Sequence, residues 1–155
     1  MAGRAQPREP TTSERRYRTG SRAPDAAPAY DPAVSDVVER YLDTLTHHDW
    51  DGLAACLAPD FSRTGPYGDA YPSKDEYLTF ISALMPTLRG YAMDVARVTY
   101  SADGRCATAE LSETVELRGE STVTPEALVF DLTADGLITR VRIYIQQVPQ
   151  VQQRA

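Results

Sequence analysis

Cysteine is scarce in this 155-residue chain: Cys56 and Cys106 are too few for a disulfide framework and stand in no metal-type spacing. They read as buried or half-buried free thiols, and a reducing cytoplasm is the expected compartment. Lysine is scarcer still, with Lys74 alone against fifteen arginines. No apolar run approaches the roughly 18 to 20 residues that a membrane-spanning helix needs, so no membrane partner is expected. Positive charge is in short supply too. The formal net charge is −6, and no basic stripe crosses the part expected to fold, which argues against a nucleic-acid binder.

What is present fits one globular domain with a tail. Hydrophobic residues make up 42% and charged residues 25%, as in soluble globular proteins. Residues 1–33 are rich in Arg, Pro and Ala and carry neither a helical nor a strand period. They are expected to form a disordered tail, because too little apolar surface is available to offset the entropy of ordering. Arg15-Arg16 lacks the following apolar stretch of a twin-arginine export signal. The domain is expected over 34–147, with a flexible end at 148–155.

The domain opens in helical period. Ser35 or Asp36 can cap a helix whose stripe is Val34, Val37, Val38, Tyr41, Leu42 and Leu45. Asp49 can cap a short second helix through Trp50 and Leu53, stopped by Pro59. A short strand is expected over Phe61 to Tyr67. Ser73, with Glu76 in the capping-box position, then starts a third helix that buries Tyr77, Phe80 and Ile81.

From Tyr91 onward the period becomes two. Turns at Asp103-Gly104, Gly119-Glu120 and Asp135-Gly136 divide this half into four long strands. The fold class is therefore α+β, with three helices on one face of a mostly antiparallel sheet. Treating each turn as a two-residue hairpin pairs Val141 with Phe130, Ile143 with Leu128 and Ile145 with Glu126. The same rule pairs Leu111 with Leu128 and Glu113 with Glu126, then Leu111 with Ala96 and Glu113 with Asp94. Asp94, Glu113 and Glu126 thus fall side by side on the covered face, where at least one carboxyl pKa should rise. A carboxyl poised near neutrality suits general acid–base work, although strand ends projecting into water would give the same pattern without chemistry. Asp131 falls opposite Arg140 on the other face, whose half-polar character suits a homodimer surface.

The runs Arg40-Tyr41-Leu42, His48-Asp49-Trp50 and Leu57-Ala58-Pro59-Asp60-Phe61, with Asp135-Gly136-Leu137-Ile138 and Arg142-Ile143-Tyr144, resemble the SnoaL-like branch of the nuclear transport factor 2-like superfamily. The resemblance implies a cone-shaped fold around a small-molecule pocket. That superfamily includes ketosteroid isomerases, polyketide cyclases, epoxide hydrolases, dehydratases and non-catalytic members. Laid over ketosteroid isomerase, the chain keeps the pocket tyrosine at Tyr41. It has Gly65 where the general base stands and Leu128 near the second acidic donor, so that reaction is disfavoured. Gln146 stands where an acid often closes the family's last strand.

The expectation is a cofactor-free and metal-free enzyme, an isomerase, cyclase, dehydratase or hydrolase acting on a small apolar molecule. Its alternative is a non-catalytic binding or dimeric scaffold protein. Glu113, Glu126, Asp94 and Tyr41 are the catalytic candidates. Trp50, Tyr67, Tyr71, Tyr77 and Phe80 are expected to line the pocket from the helical half. Leu111, Leu128, Phe130, Val141 and Ile143 are expected to line it from the sheet.

Overall fold

Val37 begins the first helix of the computed structural model, which describes residues 36–146. The segments assigned to the tail (1–33) and the flexible end (148–155) lie outside the described residues. In chain order the elements are α1 (Val37–His47), α2 (Trp50–Cys56), β1 (Leu57–Thr64), β2 (Ala70–Tyr71) and α3 (Lys74–Leu84). A 3-10 turn (Met85–Thr87) follows, then β3 (Ala92–Tyr100), β4 (Cys106–Leu117), β5 (Glu120–Leu132) and β6 (Ile138–Ile145).

Local chemistry sets the helix ends. Asp36 makes no side-chain cap to α1 and pairs with Arg40 one turn on. The hydroxyl of Tyr100 on β3 serves that end of the helix, accepting from the Val38 N–H at 3.1 Å and donating to Glu39 at 2.6 Å. Asp49 caps α2 by accepting from the Gly52 N–H at 2.9 Å. Ser73 caps α3 by accepting from the Glu76 N–H, and its own hydroxyl donates to the Glu76 carboxylate. β1 starts four residues earlier than expected and contains Pro59. The proline is tolerated because the ladder to β6 is interrupted between Leu57 and Ser62, and neither neighbouring strand pairs with it.

The six strands form one sheet in the order β2-β1-β6-β5-β4-β3, parallel only between β1 and β6. The helices cover one face, where Tyr41, Leu53, Phe61, Phe130 and Ile138 are fully buried. Cys56 and Cys106 are free thiols. Among the described residues no helix is long and apolar enough to cross a membrane.

The β5–β6 register is the expected one, with Phe130 opposite Val141, Leu128 opposite Ile143 and Glu126 opposite Ile145. The β4–β5 register is two residues away from expectation. Its turn is Arg118-Gly119, both at positive φ (54° and 84°), as in a type I′ hairpin, so Leu117 faces Glu120. Leu111 is therefore opposite Glu126 and Glu113 opposite Thr124. A slip of two keeps every side chain on its own face, so the apolar alternation fits both registers equally. The observed one sets Ala109 against Leu128 and Ala107 against Phe130, small against large.

The β3–β4 ladder keeps Val98 opposite Ala109 as expected, but the register shifts between Val95 and Arg97. Ala96 is the extra residue of a β-bulge, so below it every side chain changes face relative to expectation. Met93, not Asp94, lies opposite Glu113, and Asp94 is exposed on the outer face opposite Ser112.

Candidate active site

Between α3, the β1–β2 loop and the inner face of the sheet lies a cavity of about 560 Å³, reached as well by Tyr41 from α1. That is the scale of a small-molecule site. Glu113 and Glu126 open into it as diagonal neighbours on adjacent strands, a separation that long side chains bridge. They are hydrogen-bonded to each other. Burial, then the charge of Glu113 and that hydrogen bond, pushes the Glu126 carboxyl up to about 8, against a smaller opposing pull from Arg63. At neutral pH Glu126 therefore carries a proton. Glu113 is also held by Tyr91, whose hydroxyl donates to its Oε1 at 2.7 Å. Burial and the two carboxylates push the Tyr91 phenol far above its ordinary value, so it remains a donor.

A second polar group lies opposite. The hydroxyls of Tyr41 and Tyr77 are 2.5 Å apart, and both residues are buried. Burial raises the Tyr41 phenol to about 12 and drives Tyr77 upward as well. Both stay protonated, and whichever phenol accepts in this pair keeps its own O–H to present to the cavity. Phe130 fixes the Tyr41 ring edge-on, with centroids 5.5 Å apart.

The third group is Arg63 on β1. Its side chain is 10% exposed, its Nη1 donates to Asp69 at 2.8 Å, and its guanidinium lies 5.5–5.8 Å from the ring centres of Tyr71, Tyr77 and Phe80. Asp69 comes from the loop between β1 and β2. Its carboxylate occupies the space that a side chain at Gly65 would need, with Cγ only 2.4 Å from where a Cβ would stand.

Of the residues expected at the site, Tyr41, Glu113 and Glu126 converge on the cavity, and Tyr67, Tyr71, Tyr77, Phe80, Leu128 and Ile143 line it. Asp94 does not, because the bulge turns it outward. Trp50 is away from the cavity wall, half-buried and stacked on His48 with ring centres 5.4 Å apart. Leu111, Phe130 and Val141 are buried in the packed core and do not reach the wall. Sequence reasoning missed Tyr91, Asp69 and Arg63. Tyr91 was signalled by Tyr91, Met93 and Val95 alternating in odd positions before Val98 and Tyr100 continue in even ones. That break in parity requires an inserted residue.

The fold that carries this cavity has known relatives. The SnoaL-like domain family matches residues 38–141, two-thirds of the chain and all of the described site except the end of β6. The protein belongs to the SnoaL-like domain family. No curated protein sequence matches it. Among solved structures, this SnoaL-like chain is similar to an epoxide hydrolase of M. tuberculosis described as LEH-like. The two are 20% identical over 74% of this chain and 84% of that one, with a TM-score of 0.64. It is also similar to a putative polyketide cyclase of Xanthomonas campestris pv. campestris, at 24% identity over 73% and 90% with a TM-score of 0.63. A Catenulispora acidiphila protein with a ketosteroid isomerase-like fold, solved with trimethylamine, is 13% identical over 70% and 84%, with a TM-score of 0.61. At these identities the likeness establishes the shared fold of the SnoaL-like domain and leaves the reaction to the site itself.

Proposed function

We propose that this SnoaL-like protein is an acid–base enzyme that needs no cofactor and acts on a mainly apolar small molecule. The observation that carries the reading is the Glu113–Glu126 pair, two neighbouring carboxyls inside the cavity, of which Glu126 is pushed up to about 8 by burial and by Glu113. Glu126 is the general acid, delivering its proton to a substrate oxygen. Glu113, oriented by Tyr91, is the general base that takes a proton from carbon or water. The Tyr41–Tyr77 phenols donate to oxygen on which charge develops. Epoxide opening, cyclisation, dehydration and isomerisation all use this set. The epoxide hydrolase and polyketide cyclase among the structural neighbours support that range. The outer sheet face, with Val123 and Tyr144 exposed, supports a homodimer.

The test is turnover of three probes: an aryl-substituted epoxide, a β-hydroxyketone and a β,γ-unsaturated ketone. Wild type is compared with Glu113→Gln and Glu126→Gln. Turnover of one class, lost by about 10²–10³-fold in either variant, is the expected result. Full turnover in both variants would remove the assignment.

A non-catalytic binding role is favoured by a different observation: the cavity's polar groups are already satisfied by one another, Arg63 by Asp69, Glu113 by Tyr91 and Tyr41 by Tyr77. Ligand binding with no turnover of any probe, unaffected by Glu126→Gln, is the result that selects it.

A further inference from the structure

We propose that Arg63 is the ligand anchor of this cavity and that the ligand is an apolar molecule ending in a carboxylate, which takes the guanidinium over from Asp69. The inference rests on the reading of the cavity as a small-molecule site, but not on the carboxyl pair turning that molecule over.

The two partners of the ion pair are held very differently. Arg63 is nine-tenths buried and boxed by three aromatic rings, so its guanidinium is fixed in place and in charge. Among the described residues Asp69 is its only hydrogen-bond acceptor, through one of five N–H donors. Asp69 has a side chain 35% exposed, on a loop that passes through left-handed Gly68 (φ +83°) and carries the exposed Tyr67 at the mouth. A carboxylate so placed can move into water at low cost, whereas the arginine cannot leave.

Arg63 is also the only cation among the described cavity-lining residues. An incoming carboxylate that replaces Asp69 exchanges one anion for another and leaves the charge around Arg63 unchanged. It can bind bidentately where Asp69 makes a single bond at 2.8 Å. Beside Arg63, the side chains of Phe80, Leu84, Leu128 and Ile143 offer apolar wall that fits the rest of such a molecule. An amine would have no reason to approach Arg63. It would seek Glu113 and Glu126, which makes the charge of the preferred ligand decisive.

Calorimetric titration of the full chain at pH 7 tests this with 2-naphthylacetate, 2-naphthylacetamide and 2-naphthylethylamine as probes. The acid should bind wild type about tenfold more tightly than the amide. Asp69→Asn, which removes the internal competitor, should tighten the acid by at least about threefold and leave the amide unchanged. Arg63→Met should weaken the acid by about tenfold or more. If that variant does not fold, the Asp69→Asn comparison decides alone. No binding of the acid, equal binding of acid and amide, preference for the amine, or no gain in Asp69→Asn would each overturn the proposal. Binding of the acid without turnover of any substrate would sink the acid–base reading and leave this one standing.

Discussion

Tyr91, the residue that leads into β3, donates its hydroxyl to Glu113 on β4, and it faces the cavity because a bulge at Ala96 turns Asp94 out. The phenol thereby replaces a third carboxylate beside the Glu113–Glu126 pair. A third negative charge there would deepen the repulsion that already raises Glu126. A neutral donor instead steadies the pair and leaves one exchangeable proton in it.

The raised pKa of Glu126 has a thermodynamic sign. The folded carboxyl sits at about 8 against an ordinary 4.5, so the native state holds the proton more tightly than the unfolded chain. Its contribution is fully present below about pH 4.5 and is lost as pH rises through 8. The partly solvated side chain limits the loss to the order of 2 kcal/mol. Urea denaturation at pH 6 and pH 9 should show the larger part of that loss in wild type and much less of it in Glu126→Gln. Equal pH dependence in both proteins would count against the placement of Glu126.

Removing the negative charge of Glu113 should let Glu126 ionise more easily. In Glu113→Gln the Glu126 carboxyl, followed by carbon NMR, should titrate lower than in wild type, where burial and Glu113 push it up to about 8. An unchanged midpoint would mean that burial acts alone.

Tyr91→Phe deletes one hydrogen bond without opening a cavity. A stability loss of about 1 kcal/mol is expected. Once a substrate is known, kcat should fall about tenfold, with its pH profile displaced and KM nearly unchanged. A loss confined to KM would make Tyr91 a wall residue and not a positioning one.

The Arg118-Gly119 turn holds a non-glycine residue at φ 54°. Arg118→Asn or Arg118→Gly, both better suited to a type I′ turn, should stabilise the protein by about 0.5–1 kcal/mol. Thermal melting checks this. A destabilised Arg118→Gly would point back to a Gly119-Glu120 turn.

The outer-face dimer predicts sedimentation at twice the 17.1 kDa chain mass. Tyr144→Arg with Val123→Glu should shift the protein to monomer while leaving its circular dichroism unchanged. A monomeric wild type would end the proposal.

Most of the fold was legible because it rests on period. The Tyr41 stripe, the Asp49 and Ser73 caps and the apolar alternation of Leu128, Phe130, Val141 and Ile143 each state locally what the packed structure does. Period also explains the failures. A slip of two residues is invisible to an alternation of two, so Glu113 and Glu126 were brought to one face in the wrong pairing. The Arg63–Asp69 pair was illegible for another reason. It depends on a carboxylate six residues along a loop folding back over Gly65, and no repeat in the sequence encodes that approach.

The bulge at Ala96 also bears on how this pocket can change over generations. Loss of a single codon there would straighten β3 yet leave Val95 opposite Leu111 and Met93 opposite Glu113, so the cavity wall would survive the deletion. Straightening β3 with Ala96 retained would do the reverse: Met93 and Tyr91 would rotate outward together, and Asp94 would turn in beside Glu113. A slip of one residue in this ladder therefore separates a two-acid wall from a three-acid one, giving inheritance a short step between different chemistries on the same scaffold.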